Sequence, residues 1–232
     1  MSKSNFRFKQ FTVNQDGCAM KVGTDGTLLG SWARGGKRVL DVGTGTGLIA
    51  LMMAQRYDEA QVLAVDIDEG AVRQAKENVA SSPFASRIEV RQMDVRQLNH
   101  VEPFDAMVCN PPFFSDALTC PDGQRSLARH TLTLRYSELM QSAFELLAPD
   151  GELSVVVPFD YRSRMDEAAA LAGFFKSREC AVKTTPNKPP RRYLLAYRKH
   201  SCGQMEQTTE VLETAPGIRS AWYAALTNDF YL

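Results

Sequence analysis

A chain of 232 residues, 44% hydrophobic and 23% charged, is long enough to bury a sizeable core and excludes a disordered or low-complexity protein. Its 27 basic and 27 acidic residues cancel, so any attraction to nucleic acid must come from local clustering and not from the overall field. No apolar run approaches the roughly 20 residues of a membrane span, the N-terminus has no leader-like stretch, and five scattered cysteines without CxxC spacing support neither a zinc site nor a disulfide framework; the expectation is a metal-free cytoplasmic protein.

In chain order, residues 1–36 read as an extension with a hairpin, Phe8 to Val13 against Cys18 to Val22, followed by a short helix. Lys37 opens a core that runs to residue 200, and 201–232 form a C-terminal extension of the same single domain. The core starts with a strand and a glycine loop, Val39-Leu40-Asp41-Val42-Gly43-Thr44-Gly45-Thr46-Gly47, continued by a helix from Leu48 to Gln55. A dinucleotide site usually shows GxGxxG, with the pyrophosphate on the helix N-terminus. The tighter GxGxG spacing here suits a ligand without a pyrophosphate and favours S-adenosylmethionine over NAD.

The next strand-like run, Val62 to Val65, ends at Asp66, where a carboxylate can accept from both hydroxyls of a ribose, with Ile67 beside it. Asp68 reads as the N-cap of a helix from Glu69. The alternating strand Ile88 to Arg91 leads to Asp94 and Val95, a position from which an acid can receive an adenine amino group. Asp41 either joins this ligand set or braces the glycine loop.

The apolar run Phe104 to Cys109 stops at Asn110-Pro111-Pro112-Phe113, since two prolines end any strand or helix and force a turn. At such a turn the Asn110 side-chain oxygen and the Pro111 carbonyl form a pair of acceptors suited to a planar NH2 group, with Phe113 as a flat face beside them. Two hydrogen bonds accepted from an exocyclic amine pull its lone pair out of the ring. Positioning and polarisation then do most of the chemistry, without a strong general base.

Further along, Tyr136 to Leu147 reads as a helix ended by Pro149-Asp150-Gly151, Glu152 to Val157 as a buried strand, Tyr161 to Leu171 as a helix, and Glu179 to Lys183 with Arg192 to Arg198 as an antiparallel pair. Between Lys176 and Lys199 lie Lys176, Arg178, Lys183, Lys188, Arg191, Arg192, Arg198 and Lys199, with Glu179 the only acid. Such a segment can carry phosphate contacts in a neutral protein. Its alternative is the solvated edge of a strand pair. The long stretch from Phe114 to Leu134 holds Arg125, Arg129 and His130 and could fold over a substrate; His130 is given no catalytic role.

Glycine loop, Asp66, Asp94 and Asn110-Pro111-Pro112-Phe113, in that order, resemble the class I S-adenosylmethionine-dependent methyltransferases of the amino-methylating type over roughly Val39 to Lys199. The resemblance implies an α/β Rossmann-like fold, a seven-stranded mostly parallel sheet completed by the antiparallel strands, with helices on both faces. Phe11-Thr12-Val13, the run Met20 to Gly30 and the ending Asp229-Phe230-Tyr231-Leu232 are similar, more narrowly, to bacterial enzymes that methylate N6 of the purine 3′ of the anticodon in valine tRNA. By this resemblance Lys21, Gly23, Thr24, Asp25 and Gly26 would lie against the methionine end of the cofactor. Asp41, Gly43, Thr44, Gly45 and Gly47 would cradle it, Asp66 and Ile67 would hold the ribose side, Asp94 and Val95 the adenine, and Asn110 to Phe113 the target base. Arg125, Arg129, Lys188, Arg191 and Arg192 are the candidate contacts to a tRNA partner. Guanine-N2 methylation of ribosomal RNA, glutamine-N5 methylation of a protein, and cofactor sensing without catalysis are the alternatives.

Overall fold

A computed structural model of the chain describes residues 5–15, 22–99, 101–111 and 134–232. At its centre an eight-stranded sheet runs β10-β8-β9-β7-β6-β3-β4-β5, built from β3 (Arg38–Val42), β4 (Gln61–Asp66), β5 (Ile88–Gln92), β6 (Phe104–Cys109), β7 (Leu147–Pro158), β8 (Phe175–Lys183), β9 (Pro190–Arg198) and β10 (Glu206–Val211). All neighbours are parallel except β9, which is antiparallel to both β7 and β8.

The two faces follow from the period-2 alternation of the strands. Val39, Val62, Ala64, Ala106 and Val108 point to one face, where they meet α1 (Thr24–Trp32), α2 (Leu48–Arg56) and α3 (Glu69–Ala80). Leu40, Val42, Met107 and Cys109 point to the other, against α4 (Tyr136–Leu146) and α5 (Arg162–Leu171). Helix α2 is buried from Leu48 to Ala54, which explains its apolar character all round. Its close fit to α1 depends on Gly30, where an added Cβ would stand 2.6 Å from Met52 Sδ. α3, by contrast, is amphipathic, and Asp68 caps it by accepting from the Ala71 amide at 2.7 Å.

Two expectations need correction. The N-terminal hairpin pairs β1 (Asn5–Arg7) with β2 (Thr12–Asn14), so the expected strand Phe8 to Val13 is half turn; residues 18–21 of its expected partner, Cys18 to Val22, lie outside those described. Phe8 and Phe11 form the turn, closed by a Phe8 N–H to Phe11 carbonyl bond of 2.9 Å, and their rings stack at 4.7 Å inside the core. Aromatic residues that looked like strand formers are thus the buried corner. The sheet also has eight strands and not seven. The additional one, β10, comes from the C-terminal extension, pairs parallel with β8, and leads through the hairpin β11 (Glu213–Ala215) and β12 (Ile218–Arg219) to α6 (Ala221–Thr227).

The chain end returns to its beginning. Phe230 is buried, its carbonyl accepts from the Lys9 amide at 2.8 Å, and Tyr231 stacks on Phe8 at 5.9 Å. Among the described residues no helix is long and apolar enough to cross a membrane, and no cluster of three His, Cys, Asp or Glu side chains is arranged to hold a metal ion.

Candidate active site

The strand order reverses at β3: the chain proceeds outward through β4 and β5 on one side, then through β6 and β7 on the other. In open α/β sheets the carboxyl ends of the strands at such a point form the ligand crevice. Here the register fixes which residues meet there. Val42 pairs with Val65 on one side and with Cys109 on the other, so the next residue along each chain, Asp66, Gly43 and Asn110, stands in one row, Asp66 as the last residue of β4 and the other two just past their strands. Adjacent strands lie about 4.8 Å apart, which puts roughly 10 Å between the Asp66 and Asn110 backbones.

The glycine loop starts in the middle of that row. Gly43 and Gly47 have φ of 69° and 81°, backbone that L side chains rarely adopt, and no described atom lies within 4 Å of where a Cβ on Gly43 would stand. The Gly43 and Thr44 amides donate to the Val65 carbonyl at 2.9 and 3.0 Å, which folds the loop back over β4. Beneath the loop, Asp41 is fully buried. One of its oxygens accepts from Thr44 Oγ1 at 2.6 Å and from the Ala50 amide at 3.0 Å, while the other has no hydrogen-bond partner. Burial pushes this carboxyl up to about 7 and the charge of Asp66 adds to the effect, against the two hydrogen bonds that favour ionisation. Asp41 therefore braces the loop from below, as one of the two sequence expectations had it.

Asn78, unremarked in the sequence, braces the loop from the side. This buried side chain of α3 donates to the carbonyls of Thr46 and Asn14 at 2.8 and 2.9 Å and accepts from the Asn14 amide at 2.9 Å. An asparagine among polar helix residues carries no local signal of that role.

Asp66 uses one lone pair of each carboxylate oxygen on the backbone, accepting from the Gly45 amide at 2.9 Å and from the Asp68 amide at 3.0 Å. Each oxygen keeps a second lone pair, which fits a pair of vicinal hydroxyls. Ile67 beside it is exposed. Asp94, expected on an adenine amino group, is turned instead toward Arg96: it caps a short 3-10 turn by accepting from the Arg96 amide at 3.0 Å and grips the Arg96 Nε at 2.9 Å. The Arg96 guanidinium, itself bonded to Glu138, holds the Asp94 carboxyl below its usual range. Val95 is buried beneath.

On the far side of the row, the N-terminus of α1 rests beside the loop, with Gly26 close to Leu48, the first residue of α2. Gly23 is its N-cap, Thr24 its first residue, and Asp25 forms an ion pair with Arg192 Nε at 2.7 Å, close in distance though not aligned as a hydrogen bond. At the end of β6, Asn110 and Pro111 are half-buried and buried, respectively. Lys21, Pro112, Phe113, Arg125, Arg129 and His130 lie outside the described residues.

The basic segment is reinterpreted by the fold. Lys176 pairs with Asp166 and Glu179 at 2.8 and 2.6 Å, Arg178 and Arg198 converge on the buried Glu152 at 2.6 and 3.0 Å, and Arg192 meets Asp25. Lys183 and Lys199 donate to the carbonyls of Pro186 and Leu147. Half of the stretch that looked uniformly basic is internal ion pairing, most of its acids delivered from other elements, and two more lysines are taken up by carbonyls. Lys188, in the turn between β8 and β9, and Arg191, the second residue of β9, remain exposed.

A family model described as the methyltransferase small domain matches residues 27–186. Across the whole chain, identity is 46% to the tRNA1(Val) (adenine(37)-N6)-methyltransferase of Bacteroides fragilis (strain YCH46), with 100% of this chain and 99% of that protein covered. The chain belongs to the methyltransferase small-domain family. The protein of the same description from Phocaeicola vulgatus is 47% identical over the same shares of both chains, so the match is not confined to the cofactor half. Among solved structures, a predicted O-methyltransferase from Agrobacterium tumefaciens superimposes with a TM-score of 0.71 at 19% identity, over 89% of this chain and 96% of that one, a likeness of fold.

The residues present fit the methyl donor this family uses. A glycine ledge with open space above Gly43, no pyrophosphate-type GxGxxG, and a carboxylate with two open lone pairs at the next strand end suit a nucleoside without a pyrophosphate, as in the sulfonium donor S-adenosylmethionine.

Proposed function

We propose that this protein methylates N6 of adenine 37 in tRNA1(Val), with S-adenosylmethionine as donor. The observation that carries the reading is the row Asp66, Gly43 and Asn110 at one sheet edge, which sets a hydroxyl-binding carboxylate and an amine-accepting turn on either side of a glycine ledge. The full-length likeness to tRNA1(Val) (adenine(37)-N6)-methyltransferases supports the choice of substrate.

In this reading the donor supplies an activated methyl group at the ledge. Asp66 accepts from the ribose hydroxyls, and Ile67 lies along the nucleoside. Asp94 reaches the adenine amino group by yielding part of its contact with Arg96. Gly23 to Gly26 take the amino-acid end, and the Asp25–Arg192 pair holds that helix start in place. Asn110 Oδ1 and the Pro111 carbonyl accept from the two hydrogens of N6, which turns the nitrogen lone pair toward the methyl group. Phe113, outside the described residues, is the candidate stacking partner of the base. An anticodon loop presents its purine already unpaired, so little energy is spent on extruding it. Such a substrate sets the work of the enzyme in the cytoplasm.

The test is methyl transfer from labelled S-adenosylmethionine to unmodified tRNA1(Val), followed by nuclease digestion and mass spectrometry. N6-methyladenosine at position 37, and none on a transcript carrying guanine there, is the expected product. Label recovered as N2-methylguanosine, or only in a protein fraction, refutes the reading.

A further inference from the structure

Two phenylalanines are about half exposed among the described residues, and they sit at opposite edges of the sheet. Phe175 opens β8, which runs parallel to β7, and so lies at the edge away from the site. Phe159, 51% exposed, immediately follows β7 in a 3-10 turn of Phe159–Tyr161 and lies on the reacting edge.

Single exposed apolar residues are ordinary, so exposure alone says little. Position and setting say more. Cys109 pairs with Val155, so Asn110 stands beside Val156, and Phe159 lies three residues further along the chain, just past the end of β7 and about 10 Å beyond the amine-accepting turn. That is the reach of a neighbouring nucleotide in a single-stranded loop. The ring is supported from behind: Tyr193 lies 6.1 Å away at 35°, and the Arg162 guanidinium, fixed by Glu179 at 2.8 Å, covers Tyr193 at 5.1 Å. Pro158 pairs with Arg192 in the ladder, which brings the β8–β9 turn alongside. That turn carries Lys188, and Arg191 follows it near the start of β9; both are exposed and without an ion pair among the described residues. A rigidly backed aromatic face flanked by two available cations is the makeup of a single-stranded nucleic-acid platform, where the ring takes a base and the cations take phosphates.

We propose that Phe159 stacks on the nucleobase next to the target adenine, with Lys188 and Arg191 on the adjoining phosphates. The inference rests on the adenine-37 reading for its choice of RNA, and it adds a second base contact separate from the Asn110 turn. By gripping a neighbour, the platform would favour a loop whose flanking base is already unstacked over a continuous helix, where that base is engaged by its own neighbours.

The experiment uses the full chain and anticodon stem-loop RNA of tRNA1(Val) with 2-aminopurine placed directly 5′ or directly 3′ of adenine 37, since stacking quenches this fluorophore. Wild type should quench one of the two labels. Phe159→Ala should abolish that quench and weaken RNA binding about 5- to 150-fold, Phe159→Trp should restore both, and the dissociation constant for S-adenosylmethionine should stay that of wild type in each variant, which reports intact folding. An unchanged quench in Phe159→Ala, or no quench of either label by wild type, overturns the proposal. Methyl transfer by wild type to the unlabelled stem-loop is scored separately: its failure counts against the adenine-37 reading, whereas the stacking result is judged on binding alone.

Discussion

Replacing Asp41 by Asn should stabilise the cofactor-free protein by an amount that grows as pH rises from about 4 to about 7. The carboxyl titrates at its ordinary 3.8 in the unfolded chain and near 7 in the folded one, because it is fully buried and lies near Asp66. The sign follows from proton counting. Between these values the unfolded state has released its proton while the folded state retains it, so stability falls as pH rises through that window and is level outside it. Each tenfold difference in proton affinity is worth about 1.4 kcal/mol, which makes the loss about 4 kcal/mol by pH 8. An asparagine keeps one oxygen to accept from Thr44 Oγ1 and the Ala50 amide, and has no charge to desolvate. Wild type and Asp41→Asn should therefore melt alike near pH 4 and diverge as pH rises, by roughly 8 to 16 °C at pH 8 for a domain of this size. Thermal melts followed by circular dichroism from pH 4.5 to 8 measure the divergence. Parallel curves, whatever the offset between them, would refute the burial argument.

Asp66→Ala should weaken S-adenosylmethionine binding about 10- to 150-fold by calorimetry, because a charged acceptor for two hydroxyls is worth about 1.5 to 3 kcal/mol; an unchanged dissociation constant in a folded variant would make Asp66 only the anchor of Gly45 and Asp68. Asn110→Ala should leave that dissociation constant as it is and lower turnover on tRNA roughly 100-fold or more, since the lost bond acts in the transition state. Near-normal turnover would remove the amine-polarising role. Arg191→Ala should reduce the slope of log RNA affinity against log salt by about 0.7 to 0.9, one phosphate contact. Arg192→Ala should leave that slope unchanged, because its guanidinium is committed to Asp25, and equal slope changes in the two variants would show that the pairing does not persist on RNA.

The parts of the fold that were legible in the sequence are those whose information is local. Val39 to Val42, Val62 to Val65 and Phe104 to Cys109 are short apolar runs ending in a glycine, an acid and a proline pair, and each became a parallel strand stopping where that residue type required. Asp68 announced a helix start because its side chain serves an amide three residues on. β10 gave no such signal. Glu206 to Val211 is polar because the strand lies at the sheet edge, where one flank faces solvent and little apolar surface is buried. Phe8 and Phe11 misled for the opposite reason: a buried turn and a buried strand both ask for aromatics, and only the chain return at Phe230 and Tyr231 decides between them.

The site divides along the same line. Asp66, Gly43 and Asn110 could each be named from their own neighbours, yet that they form one row depends on Val42 pairing with both Val65 and Cys109, a fact of register that no single segment contains. Charge was the least legible property. Arg178 and Arg198 looked like surface cations until Glu152, placed by β7, came between them, and Arg192 looked like a phosphate contact until α1 brought Asp25 to it. This last pair joins the helix start beside the glycine loop to β9, the strand that carries Arg191 and follows the turn of Lys188. One ion pair therefore couples the wall of the cofactor crevice to the surface where RNA would arrive, and cutting it by Arg192→Ala should loosen the cofactor side as well, seen as weaker S-adenosylmethionine binding with no RNA present. Equal cofactor affinity in Arg192→Ala and wild type would show that α1 holds its place through Gly26, Gly30 and the apolar contacts to α2 alone.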